Sequence, residues 1–183
     1  DLTATDAVNT YATSITVSGS DIYVGGFYTK SGADDTYIPC YWENSVFKTF
    51  GSETESARVT GIGISGSTVY CSGYYVSGTD TVACYWDSST KKRHSLNLTD
   101  DSTVAPKAMA YGIVVANNTP WIVGHYTSDG KTVPCCWKGT KAYVLSLPSG
   151  AGNADVCAIA TKGSDSSGYL YCAGYYNDGT KDK

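Results

Sequence analysis

The chain has 183 residues, a formal net charge of −4 and only 16% charged residues. This length is sufficient for one substantial hydrophobic core, and the acidic balance argues against a nucleic-acid-binding protein, which normally carries a basic surface. The absence of any apolar stretch of about 18 residues means that the sequence predicts no membrane-spanning helix. Tyrosine and glycine are abundant, with 16 and 20 copies, and favour pleated strands and tight turns.

One sequence pattern recurs four times along the chain. Each copy has an aromatic residue three positions before a glycine, and the first three copies continue to a Cys-x-Trp segment. The anchor glycines are Gly26, Gly73, Gly124 and Gly174, and the tryptophans are Trp42, Trp86 and Trp137. The glycines are 47, 51 and 50 residues apart, a period that is typical of propeller blades when the sequence is strand-like.

Each copy divides into four short runs in chain order. The first run alternates bulky with small residues, the second is the segment that ends at the anchor glycine, the third ends at the tryptophan, and the fourth is short. This predicts an all-β β-propeller of four-stranded antiparallel blades, with about 3.5 to 4 blades in the chain. The predicted divisions are 1–6 as the closing strand of a blade, 7–54, 55–104 and 105–153 as blades, and 154–183 as the first two strands of a further blade.

The predicted last blade has no third strand, which leaves three interpretations open. The chain could form a four-blade ring that lacks one strand, be a fragment of a larger propeller, or complete itself through a second copy. Open strand edges would favour self-association. Two prolines, Pro39 and Pro134, fall in third runs, and we expect them at a strand's first residue or at a bulge because proline has no N–H to donate.

The seven cysteines invite a disulfide interpretation, which the repeat opposes. Cys71 and Cys172 occupy a repeat position where the other copies have Val24 and Ile122. Alternation of cysteine with valine and isoleucine is typical of a small buried apolar site. We therefore expect buried thiols without disulfides.

The repeat resembles the Tyr-Val-x-Gly-Tyr … Cys-Tyr-Trp propeller repeats of uncharacterised bacterial surface lipoproteins, and it has a looser, kelch-like character. The resemblance covers nearly the whole chain through the segments named above. It implies a β-propeller located outside the cytoplasm, at the cell surface or in the periplasm, and it implies no established activity.

Histidines and acidic turns are the next candidates for chemistry. His125 replaces an aromatic residue of the repeat, so we expect it to be a packing residue, and His94 follows Lys91, Lys92 and Arg93 on an outer edge that we expect to be solvated. Neither histidine has a recognisable carboxylate partner in the sequence, so no triad or zinc cluster is predicted. The acidic turns at Asp34, Asp35, Asp129 and Asp178 fit hairpin turns better than calcium loops. We expect no cofactor and no metal.

One repeat position varies in a way that packing does not explain. Four residues before the bulky isoleucine of each first strand lie Tyr11, Arg58, Met109 and Asp155. In a propeller these residues would surround the channel mouth, where variable loops on a rigid scaffold usually bind ligands. The hypothesis is a shallow polar and aromatic site for a sugar or a peptide; the alternative is that loop ends simply vary.

The leading interpretation is a non-enzymatic, extracytoplasmic module that binds a glycan or a protein. One alternative is a hydrolase or lyase with a site at the channel mouth, and this would need paired carboxylates or a histidine base. The carboxylates available near the predicted mouth are Glu53, Glu55, Asp100, Asp101 and Asp155. A further alternative is a structural spacer at the cell surface, because the propeller fold does not fix a function.

Overall fold

The computed structural model describes residues 2–32, 36–51, 54–98, 107–162 and 169–178. Its regular structure consists of β-strands. In chain order the strands are β1 (Ala7–Ser18), β2 (Asp21–Lys30), β3 (Ile38–Glu43), β4 (Val46–Thr49), β5 (Ala57–Ser65), β6 (Thr68–Ser77), β7 (Asp80–Asp87), β8 (Lys92–Ser95), β9 (Met109–Ala116), β10 (Thr119–Ser128), β11 (Lys131–Lys138), β12 (Lys141–Val144), β13 (Ala154–Thr161) and β14 (Leu170–Tyr176).

The strands form four antiparallel sheets in which neighbours in sequence pair with each other. The first sheet has the order β1-β2-β3-β4, the second β5-β6-β7-β8 and the third β9-β10-β11-β12, and the last sheet contains β13 and β14. The prediction of an all-β chain with four strands in each complete repeat is confirmed, as are the two strands of the final repeat. Within the described residues, no helix has the length and apolar character of a membrane span.

Tight turns of the predicted chemistry join the second and third strands of the second and third sheets, whereas residues 31–37 connect them in the first sheet. Gly32, Gly78 and Gly130 have φ values of 76°, 61° and 75°, a region that side chains with a Cβ rarely adopt. Of the predicted turn at residues 178 and 179, only Asp178 lies within the described residues. Asp34 and Asp35 lie outside them. Glycine in these turns lets the chain reverse within a few residues and return as the next strand.

Every first strand contains a bulge at an equivalent position, and β1 contains a second one between Ala7 and Asn9. The bulged threonines of β1 and β5 contact the following sheet. Register shifts fall around Thr13, Thr60, Tyr111 and Cys157. The Thr13 hydroxyl lies 2.9 Å from the carbonyl oxygen of Val59, and the Thr60 hydroxyl lies 2.7 Å from that of Ala110. These hydrogen bonds connect the first strands of consecutive sheets.

Each of the three repeat tryptophans lies in a different buried hydrophobic cluster. Trp42, Trp86 and Trp137 are each 0% exposed. The indole N–H of Trp137 donates to the carbonyl oxygen of Asn97 at 3.0 Å, across the boundary between the second and third sheets. Each tryptophan therefore fills space between its own sheet and the segment before it.

The predicted closing strand at 1–6 is wrong as a strand. Asp1 lies outside the described residues, and residues 2–4 have no regular structure. The carbonyl oxygen of Thr3 nevertheless accepts the indole N–H of Trp42 at 2.9 Å, as that of Asn97 does for Trp137. Residues 2–4 therefore lie against Trp42 in the way that the end of the second sheet lies against Trp137 of the third sheet.

The expected positions of the two prolines are also wrong. Pro39 is the second residue of β3 and Pro134 the fourth of β11, and neither lies at a register shift. The carbonyl of Pro134 accepts the N–H of Leu145 at 3.0 Å, just beyond the end of β12. Because the N–H and C=O of one residue face the same edge of a strand, the N–H that Pro134 lacks would also face the fourth strand. Pro134 lies just beyond the last residue pair between β11 and β12. The proline costs at most one terminal hydrogen bond.

The cysteines are thiols without disulfides, as expected, but two of the seven are not buried. Cys40, Cys71, Cys84, Cys135 and Cys136 are buried, whereas Cys157 and Cys172 are exposed. Burial raises the pKa of the Cys136 thiol to about 12, and it also raises the pKa of Cys157 and Cys172. The two exposed cysteines both lie in the last sheet, where the structure describes two strands rather than the four of the other sheets.

We expect two thiols to react with iodoacetamide in the folded protein and seven in denaturant. The pKa values of Cys157 and Cys172 are raised, so their thiolate populations, and hence their alkylation rates, should grow as the pH rises above the ordinary thiol value of about 8.5. Mass spectrometry of intact and digested protein counts and locates the adducts. Rapid native labelling of Cys40 or Cys135 would contradict the packing described above.

Candidate functional site

The four variable residues predicted from the repeat occupy equivalent places. Each lies near the beginning of a first strand, and its backbone carbonyl packs against the anchor glycine of its own sheet. The cross-strand pairs are Tyr11 with Phe27, Arg58 with Tyr74, Met109 with His125, and Asp155 with Tyr175. The glycines therefore position these residues, because a Cβ there would overlap the carbonyl oxygen.

Contacts between sheets separate the variable residues into two clusters. The guanidinium of Arg58 lies 5.5 Å from the ring of Phe27 in the preceding sheet. In the same relation, a carboxylate oxygen of Asp155 lies 3.0 Å from Nδ1 of His125. In both cases, the variable residue of one sheet contacts the aromatic residue that is the cross-strand partner of the variable residue in the preceding sheet.

The first cluster surrounds Arg58 with aromatic rings. Its guanidinium lies 4.0 Å from the centroid of the Tyr37 ring, and Nη1 donates to the Tyr74 hydroxyl at 3.4 Å. The Tyr37 ring meets Phe27 edge-on at 5.3 Å, and Tyr11 stacks on Phe27 at 4.8 Å. Stacking holds the planar cation by its face and leaves N–H groups at its edge for hydrogen bonding.

A cavity of about 400 Å³ opens beside this cluster, and we call it the Arg58 pocket. It is lined by Tyr37, Ser56, Arg58, Tyr74 and Val76. Its volume lies within the range of about 300 to 1,000 Å³ that small-molecule sites occupy.

Backbone hydrogen bonds fix the wall of the Arg58 pocket. The Ser56 hydroxyl accepts the N–H of Tyr37 at 3.1 Å, and the Ser56 carbonyl accepts the N–H of Val76 at 2.8 Å. The carbonyl of Tyr37 in turn accepts the N–H of Ala57 at 2.8 Å. The first and second sheets are therefore tied together at the pocket, so its shape exists before any ligand binds.

Arg58 differs from the other stacked arginine of its sheet in its acidic neighbours. Among the described residues, no carboxylate lies within ion-pair distance of Arg58. Arg93 provides the contrast, since it lies 3.6 Å from the Tyr75 ring centroid and pairs with Glu55. Glu55 is thus engaged with Arg93, while Glu53, Asp100 and Asp101 lie outside the described residues.

The second cluster corrects the expectation that His125 lacks a carboxylate partner. His125 and Asp155 are 9% and 8% exposed, and the 3.0 Å contact between them is misaligned for a regular hydrogen bond. Asp155 also accepts the N–H of Val156 at 2.8 Å. Burial and the Asp155 carboxylate, which accepts a hydrogen bond from the Tyr111 hydroxyl, raise the pKa of Tyr111 above its ordinary value.

This cluster spans the third sheet and the last sheet, because Asp155 of β13 lies against His125 of β10. Met109 contributes its sulfur, 3.8 Å from the Tyr111 hydroxyl, and the Tyr111 ring lies 5.8 Å from that of His125. Within the described residues, no serine or cysteine is hydrogen-bonded to His125. The arrangement therefore contains a histidine and a carboxylate without the nucleophile that acyl-transfer chemistry needs.

The expectation of a solvated His94 is wrong. The His94 ring stacks on Tyr85 at 4.6 Å with an interplanar angle of 13°, and its Nε2 is buried. Lys91 and Lys92 are exposed, as the charged edge predicts, whereas Arg93 is partly buried against Tyr75. One face of the His94 ring in β8 is therefore covered by the Tyr85 ring of β7.

Sequence reasoning missed Tyr37 and Ser56 as parts of the site. Tyr37 lies in a connection that is longer in the first repeat, with 14 residues from Gly26 to Cys40 against 11 from Gly73 to Cys84. This insertion is the signal that could have identified Tyr37, because an extension of one repeat on a rigid scaffold is a usual place for binding residues. Ser56 gives no sequence signal, since its hydroxyl and carbonyl accept hydrogen bonds from residues distant in sequence.

The structure has, in its described parts, no group of three or more histidine, cysteine or acidic side chains arranged to hold a metal ion. No family model matches the chain, and a search of the curated proteins found no match.

Proposed function

We propose that the four sheets are blades of a β-propeller. The sheets follow one another in chain order, and their first strands β1, β5, β9 and β13 are in contact successively. Threonine hydroxyls at the bulges bond each of the first two sheets to the next. Large tryptophans packed against small residues between consecutive sheets also support this arrangement.

We further propose that the protein is a binding module whose ligand is a sugar that carries a carboxylate. The observation that carries this proposal is the guanidinium of Arg58, held between aromatic rings in an open pocket without an acidic partner among the described residues. A planar guanidinium binds a carboxylate through two parallel hydrogen bonds. The faces of Tyr37 and Tyr74 provide apolar surface with hydroxyl groups at its edge, which suits the mixed surface of a sugar ring.

The binding interpretation is favoured over the hydrolase or lyase alternative by the chemistry of the two clusters. The Arg58 pocket has a cation and hydroxyls, and its described lining residues include no carboxylate. The histidine and carboxylate of the other cluster are both about nine-tenths buried and face each other. We place the module outside the cytoplasm as a proposal that rests on the resemblance of its repeats to those of surface lipoproteins.

The test is a calorimetric titration with α-1,4-digalacturonic acid and its neutral counterpart, α-1,4-galactobiose. We expect the acidic disaccharide to bind and the neutral one to bind at least about tenfold more weakly, because a charge-assisted hydrogen bond contributes about 1.5 to 3 kcal/mol. Arg58→Gln should reduce affinity for the acidic disaccharide by about tenfold to a hundredfold.

Arg93→Gln is the matched control, because it removes the other stacked arginine of the second sheet, which is already paired with Glu55. Its affinity should equal that of the wild type. Equal binding of the acidic and neutral disaccharides, or wild-type affinity in Arg58→Gln, would contradict the proposed recognition of a carboxylate.

A further inference from the structure

Among the described residues that line the Arg58 pocket, one has an aliphatic side chain. Val76 is 39% exposed, whereas the other lining residues carry hydroxyl or guanidinium groups. A single exposed valine has no meaning by itself, because apolar atoms contribute much of any protein surface. The repeat shows, however, that the second sheet differs from the others at this position.

Val76 occupies a repeat position that is polar in the other sheets. It lies two residues after Tyr74, which is the cross-strand partner of Arg58. The residues two positions after the partners of the other variable residues are Thr29, Thr127 and Asn177. Valine is therefore a departure from the repeat in the sheet that contributes Arg58 to the pocket.

In the first and third sheets, the polar side chain at this position bonds to the neighbouring first strand or to the segment that leads into it. The side-chain amide of Asn9 donates to the Thr29 hydroxyl at 3.5 Å, and the Thr127 hydroxyl donates to the carbonyl oxygen of Lys107 at 3.2 Å. Val76 has no polar side-chain atom that could form such a bond. The second sheet thus gives up a hydrogen bond and presents an isopropyl group to the pocket.

The strand geometry relates Val76 to the guanidinium. Tyr74 and Val76 are alternate residues of β6, so their side chains leave the same face about 7 Å apart along the strand. Nη1 of Arg58 lies 3.4 Å from the Tyr74 hydroxyl, which places the guanidinium toward the Tyr74 end of the pocket. The N–H of Val76 donates to the carbonyl oxygen of Ser56 at 2.8 Å, so the backbone at the other end is fixed.

We propose that the ligand of the Arg58 pocket is a hexuronic acid with an acetamido group at C2, whose methyl group packs on Val76. This inference rests on the proposed recognition of a sugar carboxylate by Arg58. The carboxylate of a hexuronic acid is attached to C5, and C2 lies on the opposite side of the ring. A ring bound to Arg58 by its carboxylate and lying along β6 therefore directs its C2 substituent toward Val76.

The chemistry of the two possible C2 substituents explains the expected selectivity. A methyl group that packs on the valine leaves water and gains free energy in proportion to the apolar area removed. A hydroxyl group in the same place loses hydrogen bonds to water and finds no partner on the valine side chain. Val76 is thus a specificity-determining residue, whereas Arg58 provides the charge recognition that both sugars share.

The probes are methyl α-galacturonoside and its 2-acetamido-2-deoxy counterpart, each titrated into the full chain by calorimetry. We expect the acetamido sugar to bind at least about fourfold more tightly, the effect of burying one methyl-sized group. Val76→Thr keeps the shape of the side chain and installs the residue found in the first and third sheets. It should reduce this preference to less than about twofold and leave the affinity for the galacturonoside within about twofold of the wild type.

Val46→Thr is the matched control, because Val46 lies in β4, is 58% exposed and is not among the lining residues of the pocket. It should keep the full preference for the acetamido sugar. Equal affinities of the two sugars for the wild type, with both weakened by Arg58→Gln, would overturn this inference and leave the recognition of a carboxylate intact. A preference that survives Val76→Thr would overturn it as well. No binding of either sugar up to about 10 mM would overturn the sugar site and this inference together.

Discussion

Gly73→Ala is expected to destabilise the protein by about 3 kcal/mol, at the upper end of the cost of overpacking a core. A Cβ at this position would overlap the backbone carbonyl oxygen of Arg58 and would lie 2.9 Å from Cζ3 of Trp86. The carbonyl belongs to a paired first strand and the indole is fully buried, so neither group can move without breaking other contacts. Urea unfolding followed by tryptophan fluorescence measures the change in the free energy of unfolding.

Gly63→Ala is the matched control in the same sheet. The nearest atom to a Cβ there is a methyl carbon of Val115 at 3.4 Å, which is ordinary contact. We expect its free energy of unfolding to stay within about 1 kcal/mol of the wild type, because alanine in a strand loses less backbone entropy than glycine. A similar, small effect of both substitutions would mean that the first and second strands are less closely packed than described.

Trp137→Ala is expected to cost about 3 to 5 kcal/mol, the range found for removing a large buried aromatic residue. Trp137 is 0% exposed, and its removal leaves a cavity between the second and third sheets. It also removes the indole donor from the carbonyl oxygen of Asn97. Thermal or urea unfolding of the purified variant measures the loss.

Trp121→Ala controls for the loss of an indole ring in the same sheet. Trp121 is only partly buried, and its ring lies 5.2 Å from the ammonium group of Lys138. We expect its destabilisation to be less than half that of Trp137→Ala. An equal loss in the two variants would contradict the central place given to the repeat tryptophans.

The sheets could be predicted from the sequence because each strand has a local signature. Anchor glycines, turn glycines and tryptophans recur at nearly fixed spacing, and hydrogen bonding between consecutive strands makes the order of strands follow from the order of runs. The exposure of Cys172 could not be predicted in this way. It matches the fully buried Cys71 in sequence, but the strand that covers Cys71 has no counterpart against β14 among the described residues.

Contacts between sheets explain what the sequence did not reveal about the site. Arg58 and Asp155 stand out as variable residues, but nothing in their spacing says that each faces a ring of the preceding sheet. The sequence alone therefore predicts only a packing role for His125. In the structure, Nδ1 of His125 lies 3.0 Å from a carboxylate oxygen of Asp155. The Arg58 pocket depends in the same way on Tyr37, which lies on a different sheet's connection from Arg58.

The most direct test of the proposed binding site is a crystal structure of the protein soaked with α-1,4-digalacturonic acid. Our account predicts a carboxylate of the sugar at about 2.7 to 2.9 Å from the guanidinium nitrogens of Arg58, with a sugar ring against Tyr37 or Tyr74. A disaccharide bound at another surface, with the Arg58 pocket filled only by water, would contradict it.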